Sequence, residues 1–244
     1  MSDARLSDVI AALPQPRVPV RGTEQTFPVH RIYCVGRNFA DHAREMGAAV
    51  PASPADRGTP VFFLKPADAI ALQSEVPYPP GTQDLHHEVE LVVALGKDAP
   101  AGVLDPNDAM KLVYGYAVGL DLTRRDLQGA AKAKGLPWDT GKAFNHAAPI
   151  SAIVPASGVG ELGERTLSLA INGETRQHGS LADLIWTVPD ILHELSKLYA
   201  LRAGDLIFMG TPAGVGPLQP GDRFHAVLEG IAEHSGTIVS GRTV

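Results

Sequence analysis

Three carboxylates carry the strongest chemical signal in the sequence. Glu88 and Glu90 lie two residues apart in HHEVELVV. On a β-strand that spacing puts both side chains on one face and Val89, Leu91 and Val93 on the other. Two acids aimed the same way repel and raise each other's pKa unless a cation sits between them. Asp121 closes the apolar run YGYAVGL, where a buried carboxylate is costly without a partner. Three carboxylate oxygens with open positions for water suit a hard cation such as Mg2+ or Mn2+. The same residues also fit a plainer arrangement, with Glu88 and Glu90 on the solvated face of an edge strand and Asp121 capping the next segment of chain. His86 and His87 precede the pair, but adjacent strand residues face opposite ways, so both cannot ligate one ion.

A second constellation is His42 and Glu45, three apart in the helix-like NFADHAREM and therefore neighbours on its surface. A carboxylate beside an imidazole raises its basicity and orients it, which suits a general base for water; the spacing fits an ordinary surface ion pair as well. Lys142, in TGKAFNHAAP, is placed either to stabilise an oxyanion or carboxylate or to sit in solvent. Lys65, ending VFFLKP, has the same two readings. GTPAGVG, residues 210–216, offers backbone N–H groups and the Thr211 hydroxyl to an anion, or makes a tight turn. It matches neither the dinucleotide fingerprint nor the phosphate loop. G-x-S-x-G and H-E-x-x-H are absent, and Cys34 carries no nucleophile signature.

The 244 residues suffice for one sizeable domain with a real core. A hydrophobic fraction of 44% and a charged fraction of 20% are ordinary for a soluble enzyme. The formal net charge of −6 is spread over interspersed signs, leaving no basic stripe for phosphates and arguing against a nucleic-acid partner. One cysteine excludes an intrachain disulfide and a cysteine-rich zinc site, and it fits a reducing cytoplasm. The N-terminal MSDARLSDVIAALPQP lacks a signal-peptide pattern, and no apolar run approaches the roughly 20 residues that span a bilayer. The expectation is a cytoplasmic protein without a membrane partner.

Positioning these side chains calls for many short strands. The 25 glycines and 20 prolines are spread evenly, a punctuation that predicts strands joined by turns and few long helices. Strands are predicted over 31–35, 61–64, 87–94, 114–122, 167–171, 206–209, 225–228 and 238–239. Helical stretches are predicted over 6–13, 38–46, 106–112, 124–134, 181–185 and 188–199, the last with Ile191, Leu195 and Leu198 on one face. Pro14, Pro16 and Pro19 make an extended connector, 47–60 a loop, and Asn172-Gly173 a hairpin turn. No repeat or composition shift marks a boundary, so one mixed, β-rich domain with a short N-terminal appendage is expected.

In order along the chain, YCVGRNFADHAREMG, FFLKPADA, HHEVELVVALGK, YGYAVGLDLTRRDLQ, AKAKGLPWDTGKAF and DLIFMGTPAGVG with QPGD after it resemble the motifs of the fumarylacetoacetate hydrolase family, in its short single-domain branch. The resemblance runs from about Arg31 to the C-terminus and divides the chain into a short N-terminal segment, 1–30, and a catalytic domain, 31–244. It implies an α+β fold of mixed β-roll type with short helices, Mg2+ or Mn2+ as cofactor, and a two-fold homodimer. By the same resemblance Glu88, Glu90 and Asp121 are metal ligands, while His42 and Glu45 orient and deprotonate water. Lys142 is implied to contact a substrate oxygen, Arg37 and Thr211 the substrate carboxylate, and Gln128 a polar group. The implied reaction is metal-dependent hydrolysis of a carbon–carbon bond in a small acylpyruvate. LHHEVELVV, GLDLTRRDLQ and SLADLIW resemble the members that split fumarylpyruvate into fumarate and pyruvate in aromatic catabolism. Oxaloacetate decarboxylation, a broader acylpyruvase activity and hydroxydienoate isomerisation are the family alternatives. One departure stands out. Many relatives have Asp after G-K-x-F where this chain has Asn145 and His146, which removes a negative charge near Lys142 and bears on the outer substrate contacts.

Overall fold

Apolar runs without alternation need cover on both faces. VELVVAL and VYGYAVGL are such runs, and in the computed structural model, which describes residues 9–45, 47 and 49–241, they lie side by side in the middle of a sheet. Among the described residues that sheet has six strands, in the spatial order Val154–Pro155, Val113–Leu120, Val89–Leu95, Leu206–Phe208, Ile32–Gly36 and Val61–Lys65. Its pairings are antiparallel except that of Leu206–Phe208 with Ile32–Gly36. Thr166–Ile171 does alternate, burying Leu167, Leu169 and Ile171. It belongs to a five-stranded sheet ordered Glu174–Ser180, Thr166–Ile171, Arg223–Leu228, Ala232–Val239 and Glu75–Pro77. Asn172 and Gly173 turn its first hairpin with positive φ of 54° and 87°, as a type I′ turn requires. A third, three-stranded sheet joins Thr123–Arg124, Leu85–His87 and Gly216–Leu218.

One apolar cluster runs through both large sheets, so the two close on a single core. The helices are short; Arg125–Ala133 and Val188–Ser196 have nine residues each. No helix among the described residues is long and apolar enough to cross a membrane. The architecture is the β-rich, mixed α+β roll that the sequence motifs imply.

Several elements differ from expectation for local reasons. The strand expected over 87–94 is broken at Glu88, where the chain passes from the three-stranded sheet into the six-stranded one. The stretch 188–199 stops being helical at Ser196; its buried face is Val188, Ile191, Leu192 and Leu195, and Leu198 lies outside it, 64% exposed. Residues 181–185 hold only one 3-10 turn, Leu181–Asp183, because Leu184 is already extended. The proline connector contains a strand, Arg17–Pro19, which pairs with Thr26–Pro28 and buries Val18 and Phe27. Of the helix expected over 6–13, residues 6–8 lie outside the described residues. Residues 9–13 are not helical, and Val9, Ile10 and Leu13 are exposed, so no packed face offsets the cost of nucleating a helix there. The helix expected over 38–46 spans Ala40–Glu45, and Met46 lies outside the described residues.

Close backbone packing holds the edge of the six-stranded sheet. Gly115 faces Pro155, and a Cβ on it would lie 2.3 Å from the Val154 carbonyl oxygen and 2.9 Å from Ile153 Cγ2. Gly115→Ala therefore lowers stability by about 1–3 kcal/mol, read as a lower thermal unfolding midpoint. An unshifted midpoint contradicts this packing.

Candidate active site

The break at Glu88 creates the site. The Glu88 carbonyl accepts from the Asp121 N–H at 2.8 Å, which sets the end of the Val113–Leu120 strand against the start of Val89–Leu95. Glu90 follows two residues on, paired with Gly119. All three acids are buried, with Glu88 5%, Glu90 2% and Asp121 0% exposed, so the solvated edge-strand arrangement does not occur. One oxygen from each lies within 4.8 Å of the others.

Cations from three other elements converge on this cluster. Lys142 ends the short helix Asp139–Lys142, and its ammonium donates to Glu88 Oε2 at 2.7 Å, Asp121 Oδ2 at 2.6 Å and Thr123 Oγ1 at 2.6 Å. All three of its protons are thus engaged, and Lys142 lies within the acid cluster. Arg125, at the start of its helix, donates to the other oxygen of Glu88 and to Gln128 Oε1. Lys65, at the end of the Val61–Lys65 strand, is fully buried and donates to the carbonyls of Leu122 and Lys142. Its Nζ lies 2.8 Å from Asp121 Oδ1, a contact of charge without hydrogen-bond geometry, so that buried oxygen accepts no hydrogen bond.

The balance of these charges separates the acids. Burial disfavours the Glu88 carboxylate, but Lys142 and Arg125 outweigh it and hold its pKa well below the usual range. Burial also opposes the Lys142 ammonium, and Asp121 and Glu88 overcome that to raise its pKa. Glu90 is different. Burial, then the charges of Asp121 and Glu88, push its pKa well above the ordinary value. Its one hydrogen bond comes from the Gly210 N–H at 2.7 Å, and no cationic side chain bonds to it among the described residues. An acid that must lie beside two others without a cation of its own, next to an oxygen that accepts nothing, is what a divalent ion would complete.

The His–Glu pair faces the same space. His42 is buried on the helix Ala40–Glu45, and its Nδ1 is 3.1 Å from Glu45 Oε2. A carboxylate only accepts, so Nδ1 is the donor in this contact, and in the neutral imidazole Nε2 holds the lone pair. Glu45 is itself fixed by the Gly214 N–H at 3.1 Å. Just before this helix, Arg37 adopts a positive φ of 60°. The buried Asn38 locks the turn by donating to Met209 O and Trp186 O and accepting from Trp186 N–H.

Every expected site residue except Glu45 lines one cavity of about 420 Å³, mouth included. Glu45 stands behind His42 and reaches the cavity only through it. Asn145 and His146 do not line it; His146 accepts from Gln73 at 2.9 Å instead. That departure from the motif leaves the cavity wall intact. Lys132, Trp138 and Phe63 also line the cavity, although no spacing argument singles them out. Gln177 is a further addition. It is buried, accepts from Val89 N–H at 3.0 Å and from His87, and donates to Thr211 Oγ1 at 2.7 Å and Pro212 O at 2.8 Å. It thereby ties the strand carrying the acids to the glycine-rich segment. Cys34 is fully buried, and burial pushes its thiol pKa up, which makes it inert.

Residues 31–239 match the family model for the fumarylacetoacetate (FAA) hydrolase C-terminal domain. The oxaloacetate tautomerase YcgM of Escherichia coli (strain K12) is 41% identical over 212 residues, covering 86% of this chain and 93% of that protein. The human mitochondrial oxaloacetate tautomerase FAHD1 is 43% identical over 201 residues, covering 82% and 87%. Among solved structures, the fumarylpyruvate hydrolase of Pseudomonas aeruginosa in complex with Mn2+ and pyruvate superposes with a TM-score of 0.89 at 43% identity, covering 96% of this chain and all of that one. With a matching family model, a shared fold and a buried acid cluster beside a His–Glu pair, this chain belongs to the fumarylacetoacetate hydrolase family of enzymes.

Proposed function

We propose that this enzyme hydrolyses a carbon–carbon bond in an acylpyruvate, and that its substrate is fumarylpyruvate, split to fumarate and pyruvate. The observation that carries this reading is an imidazole, oriented by a carboxylate, sharing one cavity with three buried acids. The Pseudomonas fumarylpyruvate hydrolase, with Mn2+ and pyruvate in its structure, supports both the substrate and the ion.

Glu88, Glu90 and Asp121 would hold Mg2+ or Mn2+. When bound, the ion supplies Lewis-acid stabilisation for the negative charge that develops on the α-keto oxygen. His42 Nε2 takes a proton from water as the water oxygen adds to the distal carbonyl carbon, and Glu45 stabilises the resulting imidazolium through Nδ1. Collapse of that tetrahedral carbon to a carboxyl group breaks the carbon–carbon bond, and the electron pair passes to the pyruvate portion. The proton held by His42 passes to the methylene carbon released on the pyruvate side, which becomes the methyl group of pyruvate. Lys142 keeps a fixed positive charge beside Glu88 and Asp121, which favours an anion in the cavity. Arg37, Gln128 and Thr211 line the same cavity and take the two carboxylates and the polar groups of the substrate. The Thr211 hydroxyl accepts from Gln177, so its own proton is available to donate.

Oxaloacetate chemistry is the second reading, favoured by the E. coli and human oxaloacetate tautomerases at 41% and 43% identity. It needs the same base, moving a proton at the carbon next to an α-keto acid.

Three measurements test these proposals. Mn2+ added to chelator-treated protein raises the unfolding midpoint, with about 2.7 kcal/mol of stabilisation at a hundred times Kd. Glu90→Gln removes the response, and a parent midpoint indifferent to Mn2+ contradicts the metal assignment. His42→Ala lowers kcat for pyruvate release by about 10²–10⁴-fold; a near-parental kcat rules out the dyad as the base. Finally, kcat/KM is compared for cleavage of fumarylpyruvate and for keto–enol interconversion of oxaloacetate. A higher value on fumarylpyruvate is expected, and a higher value on oxaloacetate overturns the substrate in favour of the second reading.

A further inference from the structure

We infer that Lys132 and Arg37 form an anion subsite in the cavity that takes the distal carboxylate of a dicarboxylate substrate. The inference deepens the acylpyruvate reading and rests on it.

Three of the cations around the cluster are already committed. Lys142, Arg125 and Lys65 are bonded to, or in contact with, Glu88 or Asp121. Lys132 and Arg37 line the same cavity, yet neither makes an ion pair or side-chain hydrogen bond among the described residues. Lys132 lies on the helix Arg125–Ala133 and is half-buried. Its ammonium sits 5.0 Å over the Trp138 ring, a contact that holds the charge in place without neutralising it. Burial, followed by the charges of Arg125 and Arg37, lowers its pKa, which an anion beside it would offset. Arg37 is held in a left-handed backbone conformation that residues with a Cβ disfavour, and the turn is anchored by the buried Asn38 just after it. Such strain persists where the surrounding structure demands it.

The wall beside these cations is aromatic, its two rings tilted by 56° to each other. The rings of Phe63 and Trp138 stand 5.8 Å apart, and both line the cavity. A planar, conjugated carbon chain fits against aromatic rings, and a carboxylate at its end would have both spare cations as partners. An acylpyruvate ending in a methyl group would leave the half-buried Lys132 ammonium unpaired, which weakens binding.

The test is the selectivity of Lys132→Met and Lys132→Arg. In the parent, kcat/KM for fumarylpyruvate exceeds that for acetylpyruvate. Lys132→Met lowers the ratio by about 10–100-fold, chiefly through KM for fumarylpyruvate, and Lys132→Arg keeps most of it. A ratio that Lys132→Met does not move, or that Lys132→Arg loses to the same extent, overturns the subsite. If the parent cleaves neither compound, the hydrolysis reading fails, and equilibrium binding decides the subsite alone. Mn2+-loaded parent and Lys132→Met are then titrated calorimetrically with 2-oxoglutarate, which has a distal carboxylate, and with 2-oxopentanoate, which does not. Selective weakening of 2-oxoglutarate supports the subsite, and equal effects or no effect on the two ligands overturn it.

Discussion

Burying three carboxylates within 4.8 Å of one another is the constraint on which the rest of the structure depends. Two unit charges 4 Å apart repel by about 4 kcal/mol at the effective dielectric near a protein surface, a large fraction of the stability of a domain. The fold answers with a cation from each of three elements: the end of an edge strand for Lys65, the start of a helix for Arg125, and the last turn of a short helix for Lys142. These elements have little in common except their convergence on Glu88 and Asp121. Glu90 is left to the Gly210 N–H, and that uneven distribution leaves a cluster that could hold a divalent ion rather than a closed network of ion pairs.

The second requirement is that His42 and the cluster hold their separation. His42 belongs to a six-residue helix, too short to fix its own orientation. Side-chain anchors do this instead: Asn38 before the helix, and at its end Glu45, bonded to Gly214. Gln177 completes the frame, since one buried amide joins the acid-bearing strand to Thr211. These partners lie far apart in the chain, so the cavity is a product of the tertiary fold rather than of any one motif.

That distinction explains what could be read in the sequence. Glu88 and Glu90 are legible as a same-face pair because strand periodicity is local, and Asp121 because an acid closing an apolar run is conspicuous. His42 and Glu45 are legible as neighbours for the same local reason. The long apolar strands 114–122 and 206–209 and the hairpin at Asn172-Gly173 follow from pattern and turn chemistry alone. Gln177 gives no signal, because ETRQHGS is polar throughout and its partners lie far away in sequence. Nor can the sequence tell Lys65 and Lys142 from solvated lysines; only the sheet order brings the Val61–Lys65 edge to Asp121. The break at Glu88 is hidden because no glycine, proline or other turn residue interrupts HHEVELVV, and the change of sheet shows only in three dimensions.

The enzyme sets a buried acid cluster and a positioned imidazole in one cavity, with Lys132 and Arg37 beside two aromatic rings. We propose that the acids hold a divalent ion during carbon–carbon cleavage. That is tested by pyruvate release from fumarylpyruvate by protein stripped with a chelator and then titrated with Mn2+. Negligible release from the stripped protein, and recovery that saturates as the ion binds, are expected. Full turnover by the stripped protein would contradict it.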